Sequence, residues 1–97
     1  MKQMLLEKIG PCTERQYTDR QGQQQVFAER VMRLSDGLNT MHAFLTGDRA
    51  RQTPVVREGD IVSVQLSSVA REWDTQQGEK RYETTIYVDR ISTLWRR

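Results

Sequence analysis

Two long runs of alternating apolar and polar residues, IVSVQLSSVAREW (residues 61–73) and RYETTIYVDRISTL (residues 81–94), are separated by a short polar stretch holding Gly78. Successive side chains of a strand point to opposite faces, so alternation of this length is the mark of a half-buried strand. Two such runs so close together predict a long antiparallel hairpin. In the first run Val62, Val64, Leu66 and Ala70 share one face, and Ser63, Gln65, Ser67, Arg71 and Trp73 share the other. In the second, Tyr82, Ile86 and Val88 oppose Arg81, Glu83, Thr85 and Tyr87, with Tyr82 expected in the core. Trp73 stands where the strand leaves the body, either plugging the end of a barrel or offering a flat ring to a ligand. The chain has 97 residues, enough for a single domain (1–97) with one modest core. Only 36% of it is hydrophobic and mean hydropathy is −0.76, so the apolar residues have to be spent in a pattern. Alternation in strands is the most economical pattern.

The remaining segments read more coarsely. Residues 4–10 (MLLEKIG) form a first strand, stopped by Gly10 and Pro11. Residues 13–25 are polar and contain Gly22, the composition of a loop or hairpin tip. Residues 26–34 (VFAERVMRL) fit helical and strand periods equally poorly, and SDGLN (residues 35–39) is a strong turn signal. Residues 40–47 (TMHAFLTG) put Met41, Ala43 and Leu45 on one face and Thr40, His42, Phe44 and Thr46 on the other. A short helix is expected before Pro54, followed by a turn at Glu58, Gly59 and Asp60. The order β–β–β–(short α)–β–β is that of the OB-fold, an all-β, five-stranded Greek-key barrel with a helix between strands three and four. A closed barrel also removes the edges that an open sheet would expose. An SH3-like barrel and an α+β sheet fit the same pattern.

Several classes of function find little support. Cys12 is the single cysteine, which excludes an internal disulfide and a C-x-x-C metal knuckle. The apolar patch near the start is too short for a signal peptide and is interrupted by Glu7 and Lys8. No run approaches the length of a membrane span, and a cytoplasmic, reducing compartment is the expectation. The single histidine and the cysteine fall in different elements, no cluster has metal-ligand spacing, and no Gly-rich phosphate loop exists. The expectation is a protein that is not an enzyme and carries no cofactor or metal. Of fifteen cationic residues twelve are arginine, whose planar fork pairs with phosphate and stacks on rings; genome composition explains such usage equally well.

With the strand order in hand, four pieces of sequence acquire a resemblance. Bacterial single-stranded DNA-binding proteins carry, in the last two strands of their OB-fold, a run of the form apolar-Gly-x-Leu-x-x-Arg-x-Trp-x-x-x-x-Gly-x-x-Arg-Tyr-x-Thr-x-apolar. Val64, Gln65 and Leu66, followed by REWDTQQGEKRYETTIYV (residues 71–88), resemble that run. REGD (residues 57–60), QYTDRQGQ (residues 16–23) and LTGDRA (residues 45–50) are similar to the family's acidic-glycine turn, its stretch after strand one and its entry to the helix. The resemblance covers residues 5–94 and departs from the family at two stacking aromatics, which correspond to Thr46 and to about Thr40. The family's long acidic-tipped tail has no counterpart after LWRR (residues 94–97), which implies a protein that does not recruit replication partners in the family's usual way. Tail-less relatives such as the dimeric primosomal replication protein PriB share that trait.

The resemblance implies a single-stranded DNA-binding protein with little sequence preference, acting in DNA replication as a homo-oligomer, a dimer or a tetramer. Such a protein needs cations along a groove and flat rings for stacking. The outward parity sets supply His42 and Phe44 on strand three, Arg71 and Trp73 on strand four, and Arg81 and Tyr87 on strand five. Lys80 in the hairpin loop is placed to reach a phosphate, and Arg33 with Arg30 extends the basic track. Arg15, Tyr17 and Arg20 belong to the first loop. Each residue has a plainer reading: Trp73 packed against a neighbour, Phe44 against a subunit, His42 a polar residue on a sheet face, the arginines paired with Glu29, Glu72 and Glu83. The rival function is an OB-fold scaffold whose exposed aromatics mediate oligomerisation or protein contacts without nucleic acid. RNA fits the same chemistry as DNA, and Trp95 has no assigned role.

Overall fold

The computed structural model describes residues 1–52 and 54–96. The elements are β1 (Lys2–Ile9), β2 (Thr13–Thr18), β3 (Gln24–Ser35), β4 (Thr40–Thr46), the single-turn helix α1 (Asp48–Arg51), β5 (Ile61–Asp74) and β6 (Lys80–Trp95). The protein is all-β apart from that turn, and none of its described helices is long and apolar enough to cross a membrane. The expected hairpin forms as β5 and β6, paired from Ile61 and Trp95 to Asp74 and Lys80. The segment that fits both periods, residues 26–34, lies within β3, where β1, β2 and β4 all pair with it.

One strand closes the sheet on itself. The first half of β1 pairs with β5 (Lys2 with Val64, Leu5 with Ile61), and its second half pairs with β3 (Leu6 with Leu34, Ile9 with Met32). A register shift between Leu6 and Lys8 lets the strand turn between its two partners. The pairings run β1–β5–β6–β4–β3 and back to β1, a ring of five strands. All are antiparallel except β4 with β6, whose parallel seam consists of Ala43 with Ile86 and Phe44 with Tyr87. A parallel pair cannot be joined by a tight turn. α1, residues 52–60 and the whole of β5 make the crossing between them.

The inward set fills the ring: Met4 and Leu6 from β1, Ala28, Met32 and Leu34 from β3, Ala43 and Leu45 from β4, Val62 and Val64 from β5 and Val88 from β6, with Ala50 and Val56 closing one end. The expected parity of β4 and of the first half of β5 is therefore the observed one. Gly37, at φ 94°, turns the chain between β3 and β4, and the Asp36 carboxylate accepts the Leu38 and Asn39 N–H groups at 2.9 and 2.7 Å. These two donors, Asn39 first, hold the Asp36 carboxyl below its ordinary value.

Three expectations are corrected. The strands among the described residues number six rather than five, because within the stretch read as a loop or hairpin tip residues 13–18 are a strand and only residues 19–23 are the tip. All six of these residues are exposed, so β2 has no buried face to mark it with apolar alternation. Tyr82 is 72% exposed rather than in the core. Past Leu66 the β5–β6 hairpin leaves the ring, and Ser67 through Asp74 are exposed on both faces, as are Lys80 through Thr84. Ala70 shares a parity with Val62 and Val64 but has no core to enter.

Sequence analysis also missed a polar lock at the foot of the ring. Asp60, 1% exposed, accepts from the Arg57 N–H at 2.8 Å, the Thr93 hydroxyl at 2.8 Å and the Arg96 guanidinium at 2.9 Å. A buried carboxylate is tolerable only when its oxygens are so occupied. The Arg96 guanidinium, above all, holds the Asp60 carboxyl far below the usual range, against the effect of burial.

Candidate nucleic-acid interface

The outward parity sets assemble into one surface. Phe44 lies opposite Tyr87 across the parallel seam, Tyr87 opposite Ser67, and Phe44 opposite Val31. Ser67, Tyr87, Phe44 and Val31 therefore form a single row across β5, β6, β4 and β3. Phe44 and Tyr87 are both half-buried. The row beside it holds His42, which pairs with Arg33, which in turn pairs with Lys8 of β1. His42 and Lys8 are exposed. The Arg33 Nε lies 3.4 Å from Glu7 Oε1, so one cation of this row already faces a carboxylate.

The surface continues along β3 onto β2. Phe27 pairs with Arg15, Gln25 with Tyr17 and Glu29 with Thr13, all on the side that Val31 and Arg33 occupy. Tyr17 is 50% exposed, and the Arg15 guanidinium reaches Glu29 at 2.8 Å. At the hairpin tip Asp19 accepts the Gln21 and Gln23 N–H groups, each at 2.9 Å. The Gln23 bond is the main reason its carboxyl titrates below the ordinary value. Phe27 and Val31 were missed by sequence reasoning. Their signal is the period of two in Phe27, Glu29, Val31 and Arg33 against Ala28, Met32 and Leu34, blurred by Arg30 on the inward parity.

In the other direction the surface runs onto the β5–β6 arm. Trp73 pairs with Arg81 and Arg71 with Glu83 on the face that carries Ser67 and Tyr87. Trp73 is 46% exposed and packs in no core. Tyr87 lies six positions along β6 from Arg81, about 20 Å at the rise of a strand, so Trp73 is a second platform rather than a neighbour of Phe44. Arg71 has no ion-pair partner among the described residues, whereas Arg81 lies 3.6 Å from Glu79.

Two expected members fall elsewhere. Lys80 has the opposite parity from Trp73: it stands on the other face of the arm with Tyr82, its ammonium 3.2 Å from Glu72. Arg30 is inward on β3 and donates to the Gly10 and Ala50 carbonyls at 3.3 and 3.1 Å, which ties β3 to the chain entering β2 and to α1. It carries no part of the basic track. Of the expected pairings of arginine with Glu29, Glu72 and Glu83, the first is made by Arg15, and Glu72 takes Lys80 instead.

The surface as a whole presents rings at Tyr17, Phe27, Phe44, Tyr87 and Trp73, interleaved with Arg33, Arg71, Arg81 and His42. Flat rings attract any planar base, and guanidinium groups pair with phosphates without reading sequence. Among the described residues no three His, Cys, Asp or Glu side chains gather as metal ligands would. Comparison with family models, with curated proteins and with solved structures finds no match, so the reading of this surface stands on its geometry.

Proposed function

We propose that this protein binds single-stranded nucleic acid, DNA in the first instance, with little sequence preference and without performing chemistry on it. The observation that carries the proposal is the pairing of Phe44 with Tyr87 on a face that continues to Phe27 and Tyr17 on one side and to Trp73 on the other. Bases stack on these rings, and Arg33, Arg71 and Arg81 meet the phosphates. We read the fold as an OB-fold bearing an added strand. What supports this is the ring order β1–β3–β4–β6–β5, its parallel seam and the position of α1 after the third ring strand. In that fold the face of the second and third strands and the loops flanking them bind oligonucleotides, and here those positions are β3, β4, the β2 segment and the β5–β6 arm. The same features favour the single-stranded DNA-binding family that the sequence resembles.

The test uses a Trp95→Phe variant, so that fluorescence reports Trp73 alone, titrated with oligo-dT at low and raised salt. Saturable quenching that weakens with salt is the expected result, since single strands lose about 0.7 in log affinity per log salt for each phosphate neutralised. Absence of both quenching and a mobility shift at low salt overturns the proposal. A parallel titration with oligo-U separates DNA from RNA. A second reading, self-association as an interaction scaffold, is favoured by a different row. Leu5 pairs with Ile61 and Ile61 with Trp95 on the outer surface, with Leu5 38% and Trp95 56% exposed. Sedimentation of the wild type and of Trp95→Ser decides it: an oligomer that dissociates on substitution supports the scaffold, and a monomer in both removes it.

A further inference from the structure

Val88 follows Tyr87 on β6 and points the other way, into a cleft of about 480 Å³ that opens at the end of the ring beneath α1. Its floor belongs to the core: Met32, Leu45, Val56 and Val88 are each at most 5% exposed, yet all four line the space. Past the seam with β4, the β6 backbone at residues 88–92 borders this cleft. The Arg49 guanidinium bridges part of that gap, donating to the Val88 and Asp89 carbonyls. The wall formed by residues 54–56 is pinned from behind, where Arg96 donates to the Val55 carbonyl at 3.0 Å while holding Asp60.

The rim is polar and its charge is unbalanced. Arg49 and Arg90 both border the cleft, and neither has an ion-pair partner among the described residues. Among the described residues the one rim carboxylate, Asp89, is already bonded to the Ser67 hydroxyl at 3.1 Å. An apolar floor at core depth beneath two guanidinium groups suits one kind of occupant. We infer that the cleft binds a small molecule with an apolar body and a single anionic head group, of the class of a medium-chain carboxylate. The body lies on Met32, Leu45, Val56 and Val88, and the head meets Arg90 and the free donors of Arg49. The volume falls within the range of small-molecule sites, roughly 300–1,000 Å³. The floor lies on the inner side of β6, whereas Arg90, paired with Gln65, and Asp89, bonded to Ser67, bring the rim to the outer face, so the tryptophan variants below separate this site from the proposed nucleic-acid surface.

The test titrates the full chain with anilinonaphthalene sulfonate, an aromatic body with one anionic group, and then displaces it with decanoate. Saturable enhancement at one site per chain and displacement by decanoate are expected. Arg90→Glu, a substitution at an exposed residue, is expected to weaken the sulfonate about tenfold or more by reversing a charge-assisted contact. Binding of neutral decanol, followed by displacement of the probe from the wild type and from the variant, changes little. Trp73→Ala and Trp95→Phe leave the sulfonate affinity as it was. Three results overturn the inference: no saturable enhancement, an Arg90→Glu affinity equal to wild type, or loss of the signal in either tryptophan variant, which places the probe on an outer surface.

Discussion

Trp73 and Tyr82 show how little a residue's type says about its role without the register around it. Both are aromatic, both sit in alternating runs, and they stand on opposite faces of one arm. Trp73 faces the side that Phe44 and Tyr87 share, so Trp73→Ala is expected to weaken oligo-dT binding by about 1–3 kcal/mol, the value of one stacked base. Its folding stability should move by less than about 0.5 kcal/mol, as for other exposed positions; urea denaturation beside the binding titration separates the two, and equal losses in both would make Trp73 a packing residue. Asp60 is the opposite case, a charged residue whose work is structural. Its carboxyl is held below the ordinary value in the fold by Arg96, so it contributes stability that is full only well above the unfolded value of about 3.9 and is lost progressively as pH falls from about 5 toward the folded value. Asp60→Asn removes that contribution: the variant is less stable at pH 7, and its urea midpoint falls less steeply between pH 6 and pH 3 than the wild type's. A parallel decline in both proteins would mean that the acid response belongs to other carboxylates, Asp36 and Asp19 first.

At the scale of elements the β5–β6 arm behaves unlike the strands of the ring. An isolated two-stranded hairpin is at best marginally stable in water, and residues 67–74 and 80–84 bury neither face. Amide exchange in the arm should therefore be fast while Leu6, Met32 and Val64 are protected to nearly the global stability. Replacing residues 71–83 by a two-residue Asn-Gly turn should leave the melting temperature almost unchanged and remove the Trp73 platform. A large loss of stability would mean that the arm braces the ring. The arm's existence was legible in the alternation of residues 61–73 and 81–94, but its departure from the body was not. Parity distinguishes two faces and says nothing about whether either is covered. The same limit hid β2, whose Thr13, Tyr17 and Thr18 suit a strand while its six residues bury nothing.

For the whole molecule, net charge is +2, too small to hold a polyanion by bulk attraction. The proposed binding then rests on a few placed cations, and three of them, Arg33, Arg71 and Arg81, imply a slope of log affinity against log salt of about −2. Arg71→Ala should make that slope shallower by about 0.7; an unchanged slope would remove Arg71 from the contact. The faces of this surface were readable wherever the strand also lines the core, because Met41, Ala43 and Leu45 leave His42 and Phe44 only one direction. What lay beyond reading were relations between distant segments: the seam that sets Phe44 beside Tyr87, the bulge at Glu7 and the bond from Arg96 to Asp60. These depend on register across long sequence separations, which no local pattern encodes. The ring has a further consequence for the order in which the fold assembles. β6 follows the other strands of the ring and joins β4 to β5, so the β2–β3–β4 sheet can form and dock β1 before the ring closes. Until residues 86–96 are in place, Met32, Leu34, Ala43 and Leu45 face water on an open, curved sheet. The edges of β1 and β4 are then free to pair with another chain. The most aggregation-exposed species of this fold is therefore the partly folded one in which β6 has yet to close the ring.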